Sequence, residues 1–272
     1  MNNNPIFPVI IKPIHVYSTS VGVTKVSSLP DLKMQFRKIE LLNKLSLIAK
    51  KSSVIVENYI EGTEYAVDLL WTNRKRIITF VHQNKSGTGP DFLDHLYFID
   101  PVDNQRLQNM LENAEEKVDL ATAVIFGFTH TEYRIHNGVP YVIESSNRPA
   151  GAGMLFSTIE RSTGYNMINI FYDYVLDDSK ILENHLKVKY NVNSINFWMP
   201  PPLKKQGLFE SFNGLEKIQK LPYIYSAEVY LSKGDYFYSD NSQVMYPLVI
   251  KGEIYINKNL DNIVTEIEEK LI

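Results

Sequence analysis

Cysteine is absent from the 272 residues of this chain. Disulfides and thiolate zinc sites are thereby excluded, and the absence agrees with a cytoplasmic protein. No apolar run approaches the ~20 residues that a membrane helix needs, so we expect no membrane partner. The first seven residues lack the basic end and apolar core of a signal peptide, which also predicts a cytoplasmic location.

An excess of one charge sign is also missing. The 28 Lys and Arg residues nearly balance the 31 Asp and Glu residues, and the net charge is -3. We therefore expect no broad basic surface and no nucleic-acid partner. The chain contains no Gly-x-Ser-x-Gly, no Walker sequence and no His-Glu-x-x-His. Its length allows one large or two modest domains.

The most informative residues that are present are two glutamates around a predicted hairpin turn. Thr, Tyr, Ile and Val flank Asn137-Gly138, which is typical of a β-hairpin. A three-residue loop centred on Gly138 would pair Glu132 with Glu144 at about 5 Å between Cβ atoms. A two-residue Asn-Gly turn would place the two side chains on opposite faces.

Two carboxylates that close repel each other unless a cation lies between them. Mg²⁺, bound by one or two carboxylates and by substrate phosphates, is the natural occupant. A solvated acidic hairpin is the alternative, and the hairpin alone does not decide between the two.

Three further groups of side chains have the chemistry of a nucleotide site. Lys12 ends an apolar strand before a hydroxyl-rich loop, where it could neutralise phosphate charge or simply reach solvent. Glu57 and Glu64 flank a turn at Gly62, where they could accept hydrogen bonds from an adenine amino group and ribose hydroxyls, or lie on the surface. Arg148 could stabilise an anionic intermediate, or form a salt bridge with Glu132 or Glu144.

The pattern of apolar residues predicts α+β layers, because strands and helices alternate without strict order. Strands are predicted at residues 7–13, 54–57, 64–70, 76–82, 195–199, 227–231 and 245–250, besides the hairpin. Helices are predicted at residues 31–51, 105–126, 159–176, 215–220 and from 260 onward. Residues 84–101 are predicted to form a long polar loop that acts as a mobile lid. Residues 177–193 are the predicted boundary between domains.

In their order, these pieces resemble the ATP-grasp superfamily. The matching segments are Phe7-Pro-Val-Ile-Ile-Lys-Pro13, Ser20-Val-Gly-Val23, Val56-Glu-Asn-Tyr-Ile-Glu-Gly-Thr-Glu-Tyr65, His130-Thr-Glu132 and Ile143-Glu-Ser-Ser-Asn-Arg-Pro-Ala-Gly151. The loop at 89–101 and the tail, with Pro-Pro near 201, Leu221-Pro222 and Lys233-Gly-Asp235, resemble the L-amino-acid ligase type of carboxylate–amine ligase.

The resemblance implies a fold in which two α+β subdomains grip ATP, followed by a small C-terminal α/β module. The implied ATP-grasp domain covers residues 1–180, with subdomains at 1–58 and 59–180, and the module covers 193–272. The implied activity joins a carboxylate, such as an amino acid, to an amine through an acyl-phosphate. Small-molecule substrates, ATP and Mg²⁺ or Mn²⁺ are the implied ligands.

The resemblance also implies a role for each matching residue. Lys12 and the loop around Ser20 would contact the ATP phosphates. Glu57 and the backbone through Ile60 would hold adenine, and Glu64 would hold ribose. Glu132 and Glu144 would bind the metal. Arg148 would stabilise the acyl-phosphate or the tetrahedral intermediate.

The chain departs from the family pattern at three places. Ser146 stands where the family has an asparagine metal ligand, and Asn147 comes one residue later. The phosphate loop has a single glycine, Gly22. The family has an N-terminal domain and an earlier phosphate-binding lysine before the position of Lys12, and this sequence contains neither. The chain is therefore expected to be a fragment of a longer protein, half of a two-chain enzyme whose partner chain supplies the N-terminal domain, or a degenerate member, and a homodimer is a further expectation. The alternatives are an ATP-binding subunit without turnover and a ligase that uses a thiol or other nucleophile.

Overall fold

The computed structural model describes residues 6–14, 20, 22–45, 53–86, 94–151, 153–176, 188–202, 206–237 and 246–271. In chain order the elements are β1 (Val9–Pro13), β2 (Thr24–Val26), α1 (Leu29–Leu45), β3 (Val54–Asn58), β4 (Thr63–Thr72), β5 (Lys75–Ser86), β6 (Asp94–Ile99), α2 (Pro101–Thr122), β7 (Gly127–His136), β8 (Val139–Ser146), α3 (Met154–Thr163), α4 (Met167–Val175), β9 (Ser194–Met199), β10 (Gly207–Leu208), α5 (Leu215–Gln219), β11 (Ile224–Val229), β12 (Tyr236–Phe237), β13 (Leu248–Tyr255) and α6 (Leu260–Lys270).

A small antiparallel sheet opens the chain, in the order β2-β1-β3. Helix α1 packs on it, and Val9, Ile11 and Ile39 are buried between the two layers. The helix begins two residues earlier than predicted because the Ser28 hydroxyl accepts a hydrogen bond from the Asp31 N–H at 3.3 Å. A side-chain oxygen in that position satisfies a donor that the first turn leaves free.

A large antiparallel sheet carries most of the remaining strands, in the order β11-β13-β9-β6-β5-β4-β7-β8. Side chains alternate between its two faces, as they must in a strand. One face is covered by α2 and, further along, by α5 and α6. The opposite face packs against α3 and α4 at one end and carries polar side chains along the rest. The α+β fold that the sequence predicts is thereby confirmed.

The prediction of one polar loop over residues 84–101 is wrong at both ends. Strand β5 continues to Ser86 and β6 begins at Asp94. Leu96 and Phe98 are both buried, and their spacing is the period-two pattern of a half-buried strand. The centre of the proposed lid, residues 87–93, lies outside the described residues.

Two predicted helices also have different bounds. The helix predicted at 105–126 begins at Pro101, because the Asp100 carboxylate accepts hydrogen bonds from the first-turn N–H groups and proline suits the first helical position. The helix predicted at 159–176 is two helices. Gly164, at φ 75°, ends α3, since its N–H donates to the Glu160 carbonyl in a left-handed conformation that glycine adopts readily.

Three of the C-terminal strands, β9, β13 and β11, join the large sheet, whereas the short strands β10 and β12 pair with each other in a two-stranded sheet. Strand β9 pairs with β6 through Tyr97 and Trp198, and β13 and β11 follow it. Before them, Val188 packs in the core under α3 and α4, while residues 177–187 lie outside the described residues. The division into an ATP-grasp domain and a C-terminal module remains a prediction. Within the described part of the chain, no helix combines the length and apolarity that a membrane span requires.

Glu115 on α2 allows a test of this packing. It is 1% exposed and accepts a hydrogen bond from the Tyr133 hydroxyl at 2.7 Å. Burial raises its pKa from 4.5 to about 7. The folded protein therefore keeps a proton that the unfolded chain releases between these pH values, and stability falls as the pH rises through this window.

Glu115→Gln mimics the protonated acid, so we expect it to be more stable than the wild type at pH 8 and nearly equal to it at pH 5. The difference at high pH is at most about 3 kcal/mol, from the size of the pKa shift. Urea unfolding at four pH values measures it, with Glu116→Gln, an exposed neighbour on the same helix, as the control. A difference that does not vary with pH would contradict the prediction.

Candidate active site

The predicted glutamate pair forms, but not through the predicted turn. Asn137 and Gly138 make a two-residue turn with positive φ at both positions, and His136 pairs with Val139. Such a turn alone would set Glu132 opposite Ile143. A β-bulge between Glu132 and Tyr133 in the register leaves Ile143 as the extra residue, and Glu132 pairs directly with Glu144. A bulge inserts one extra residue into one strand, and here it brings the Glu144 side chain onto the same face of the hairpin as Glu132.

Lys12 contacts this bulge from the small sheet. Its ammonium group donates to the Ile143 carbonyl at 3.1 Å and forms an ion pair with Glu57 at 2.7 Å. Its side chain is 15% exposed, so the alternative of a lysine that simply reaches solvent does not hold. The structure thus places one cation beside the two-glutamate hairpin. Lys12 and Glu57, predicted to bind different parts of ATP, are in direct contact.

Glu64 belongs to a second ion pair, more buried than the first, that the sequence did not reveal. Arg134 donates to its Oε2 through Nε at 3.1 Å and through Nη2 at 3.0 Å, and Asn84 donates to its Oε1 at 2.6 Å. Arg134 also donates to the Ile60 carbonyl at 3.0 Å. The predicted adenine-binding backbone and the predicted ribose-binding carboxylate are therefore joined by one guanidinium. The missed signal was the period-two spacing of Glu132 and Arg134, which places both on the same face of β7.

Three buried side chains on this face contact Glu132 or its neighbours. His130 Nδ1 lies 3.0 Å from Asp68 Oδ1, and His130 Nε2 lies 3.4 Å from Glu132 Oε1. His82 Nδ1 lies 3.2 Å from the other Asp68 oxygen, without the alignment of a hydrogen bond. Sequence spacing does not reveal these three residues, because they lie on three separate strands, β4, β5 and β7.

The charges of this group shift one another's protonation. Burial alone would lower the pKa of His130, but the Asp68 carboxylate and Glu132 raise it to about 10. Burial would raise the pKa of Asp68, yet the His130 charge and hydrogen bond lower it. The pKa of Glu132 is likewise lowered, against the effect of burial, by the hydrogen bond from His130 and by the charges of His130 and Arg148. Glu132 is therefore held ionised, as a metal ligand must be.

The remaining predicted residues lie around the second glutamate. The Ser146 hydroxyl donates to Glu144 Oε1 at 3.2 Å. Asn147 is exposed, just beyond the end of β8. Arg148 is exposed and donates to the Pro149 carbonyl at 3.0 Å. Among the described residues it forms no ion pair with Glu132 or Glu144, so the salt-bridge alternative is not observed.

Ser20, in the predicted phosphate loop, has φ 51°, and its backbone carbonyl accepts a hydrogen bond from the Val23 N–H, but most of this loop lies outside the described residues.

The side chains on this face fit a divalent cation bound to an anion. Glu132 and Glu144 supply carboxylate oxygens on one face, and Ser146 supplies a hydroxyl on the same face. Oxygen ligands of this kind are those that Mg²⁺ prefers. Lys12 and Arg148 add positive charge suited to phosphate. Asp68, His82 and His130 also offer one ligand atom each within 4.8 Å of one another, although Asp68 and His130 already form a hydrogen bond.

A comparison with models of known protein families identifies the family of this chain. A family model described as an ATP-grasp domain matches residues 6–156. The chain belongs to the ATP-grasp family. No curated protein sequence matches it.

Solved structures similar to this ATP-grasp chain share its fold at low identity. The L-amino acid ligase from Bacillus licheniformis matches with a TM-score of 0.82 and 22% identity, over 100% of this chain and 65% of the ligase. A biotin carboxylase–β-γ-ATP complex from Campylobacter jejuni matches with a TM-score of 0.61 and 12% identity, over 98% of this chain and 58% of the carboxylase.

A biotin carboxylase domain of 2-oxoglutarate carboxylase from Hydrogenobacter thermophilus, in complex with MgADP, matches with a TM-score of 0.58 and 14% identity, over 92% of this chain and 53% of that domain. This ATP-grasp chain thus spans roughly half to two thirds of the length of these structures.

Proposed function

We propose that this ATP-grasp chain is an ATP- and Mg²⁺-dependent ligase that joins a carboxylate, such as an amino acid, to an amine. The observation that carries the proposal is the β-bulge, which pairs Glu132 with Glu144 while its carbonyl anchors Lys12. Two anionic metal ligands and a cation for phosphate are thereby adjacent. The similarity to an L-amino acid ligase over the whole chain supports the choice of substrates.

In the proposed reaction, a carboxylate oxygen of the first substrate attacks the γ-phosphorus of ATP, and ADP leaves. The amine nitrogen of the second substrate then attacks the acyl-phosphate carbon, phosphate leaves, and the nitrogen loses a proton. Glu132 and Glu144 would hold Mg²⁺, or Mn²⁺ in its place, which supplies neutralisation of the phosphate charge. The protein needs no covalent nucleophile, because positioning and charge stabilisation supply the rate.

The nucleotide would lie between the small sheet and the polar face of the large sheet. Lys12 would contact the phosphates of ATP. Glu57 and the backbone of Ile60 would bind adenine, and Glu64 would bind ribose. The Lys12–Glu57 ion pair would then open as ATP enters, since each partner gains a contact of its own. Arg134 would keep Glu64 and Ile60 in a fixed relation, because a bidentate guanidinium restricts both.

Measuring phosphate release tests the proposal directly. The chain is incubated with ATP, Mg²⁺ and a panel of carboxylates and amines, and release that requires both an acid and an amine supports a ligase. Release that requires an acid and a thiol would show that the nucleophile is a thiol and not an amine. Nucleotide binding without release, alone and with the N-terminal part of a longer relative added, would favour an ATP-binding subunit without turnover.

The partner-dependent alternative is supported by one observation, namely that the chain spans 65% of the similar ligase. A separate polypeptide that supplies the rest of such a protein would restore activity on mixing, as would a longer form of this chain that includes it. We therefore expect weak release by the chain alone and stronger release on complementation. Strong release by the chain alone would contradict this expectation.

Lys12→Ala tests the proposed phosphate contact. We expect the variant to bind ATP·Mg²⁺ roughly ten- to a hundredfold more weakly at low salt, because a hydrogen bond to a charged group contributes about 1.5–3 kcal/mol. The loss should shrink at high salt, since salt screens the charge. Titration calorimetry measures both, with Lys38→Ala, an exposed lysine on α1, as the control. Equal affinity of Lys12→Ala and wild type at low salt would remove Lys12 from the phosphate site.

A further inference from the structure

The ring of His130 lies between two carboxylates, one buried in the core and one partly exposed. Asp68, whose backbone pairs directly with His130 across β4 and β7, is 1% exposed. Glu132, two residues along β7, has a side chain that is 26% exposed. His130 thus connects a fixed acid in the core with a partly exposed acid of the candidate metal site, at 3.0 Å and 3.4 Å.

The core side of this connection is tightly held. The second oxygen of Asp68 lies 3.2 Å from His82, which is fully buried. The rings of His82 and His130 stack with centroids 5.9 Å apart and planes 17° from parallel. His130 therefore cannot turn without breaking its hydrogen bond to Asp68 and its stacking on His82. A side chain fixed in this way can fix a neighbour in turn.

The site side of the connection has little else to hold it. Within the described part of the chain, His130 is the one side chain that forms a hydrogen bond or ion pair with Glu132. Its cross-strand partner Glu144 carries the same charge and repels it. A glutamate in that position would sample several rotamers, most of them pointing away from a shared cation.

We propose that His130, anchored by Asp68, is a positioning residue that holds the Glu132 carboxylate in its metal-binding orientation. This inference rests on the proposed function of the two glutamates. Hydrogen-bond partners of metal ligands typically contribute 10–100-fold to metal affinity, because they order the ligand before the metal arrives. His130 would act through Glu132 and contact neither metal nor nucleotide.

Two substitutions separate the two nitrogens of the ring. Asparagine places an amide nitrogen near the Nδ1 position, so His130→Asn keeps a donor toward Asp68 and loses the contact with Glu132. Glutamine reaches the Nε2 position, so His130→Gln keeps a donor toward Glu132. The measured quantity is the affinity for Mn²⁺ in its complex with ATP, followed by equilibrium dialysis of Mn²⁺ across a membrane that retains the protein. We expect a roughly 10–100-fold loss in His130→Asn and a much smaller loss in His130→Gln.

A double-mutant cycle decides whether His130 acts through Glu132. In a Glu132→Gln background the carboxylate is gone, so His130→Asn should cause no further loss of Mn²⁺ affinity. His82→Gln is the matched control, because it is equally buried beside Asp68 and does not contact Glu132. Circular dichroism melting checks the fold of each variant. If His130→Asn does not fold, Asp68→Asn takes its place in the same cycle.

The possible outcomes distinguish a failure of the positioning role from a failure of the proposed function. Wild-type protein that does not bind Mn²⁺ with ATP would overturn the proposed function. Wild-type binding with equal losses from His130→Asn in both backgrounds, or with equal losses in the Asn and Gln variants, would overturn the positioning role. Zn²⁺ binding without nucleotide that disappears in His82→Gln would also overturn it, by making Asp68, His82 and His130 a metal site of their own.

Discussion

Glu144→Ala is expected to lower Mg²⁺-dependent phosphate release by at least roughly a hundredfold. The variant loses one of two anionic ligands, and the charge stabilisation that a bound metal supplies contributes several kcal/mol to a phosphoryl transfer. Glu144 is exposed at the edge strand β8, so its replacement should leave the fold intact. The same loss is expected in Glu144→Gln, which keeps the size of the side chain and removes its charge.

Ser145→Ala is the matched control for this loss. Ser145 lies beside Glu144 on the opposite face of the hairpin, where its hydroxyl contacts Thr131 at 3.0 Å. We expect its release rate to stay within a few-fold of the wild type, since no charge changes on the side of the metal. Should the chain alone prove inactive, the Mg²⁺ dependence of ATP binding replaces the rate. Unchanged Mg²⁺ dependence in Glu144→Ala would remove the hairpin from the metal site.

The strands that build the site could be predicted because their apolar residues recur with simple periods. The continuous apolar run that ends at Lys12 became β1, and the run around Val67, which is apolar on both faces except at Asp68, became β4. Such patterns follow from burial of one or both faces and require no knowledge of partners. The order of the quoted motifs also predicted the family, which the match over residues 6–156 confirms.

The contacts that complete the site could not be predicted, because each depends on pairing between distant segments. Arg134 reaches Glu64 across 70 residues, and Asp68 reaches His130 across 62. The same reason explains the hairpin. Local turn chemistry correctly marks Asn137-Gly138, but the bulge at Ile143 depends on how the two strands pair, and its carbonyl accepts a hydrogen bond from the distant Lys12 ammonium. Strand register is a tertiary property wherever one face is buried.

Arg148→Lys is expected to spare ATP binding and to lower phosphate release. Lysine keeps the positive charge but loses the planar fork that matches an oxyanion or a phosphate. The guanidinium is exposed, and its hydrogen bond goes to the neighbouring Pro149 carbonyl, so the substitution breaks no buried network. Its charge nevertheless lowers the pKa of Glu132, which indicates that it lies near the candidate metal site. Stabilisation of a developing anion contributes about 2–4 kcal/mol, so the rate should fall roughly a hundredfold.

Two measurements on the same protein separate the roles that Arg148 could have. Calorimetry gives the affinity for ATP·Mg²⁺, and release with saturating acid and amine gives the rate, with any N-terminal part that activity requires supplied in excess. Arg161→Lys is the control, since Arg161 is exposed on α3 and its ion pair with Glu253 lies on the C-terminal strand β13. A fall in affinity equal to the fall in rate would make Arg148 a nucleotide contact. An unchanged rate would make the arginine structural, and the anionic intermediate would then need another cation, for which Lys12, whose ammonium contacts the bulge, is a candidate.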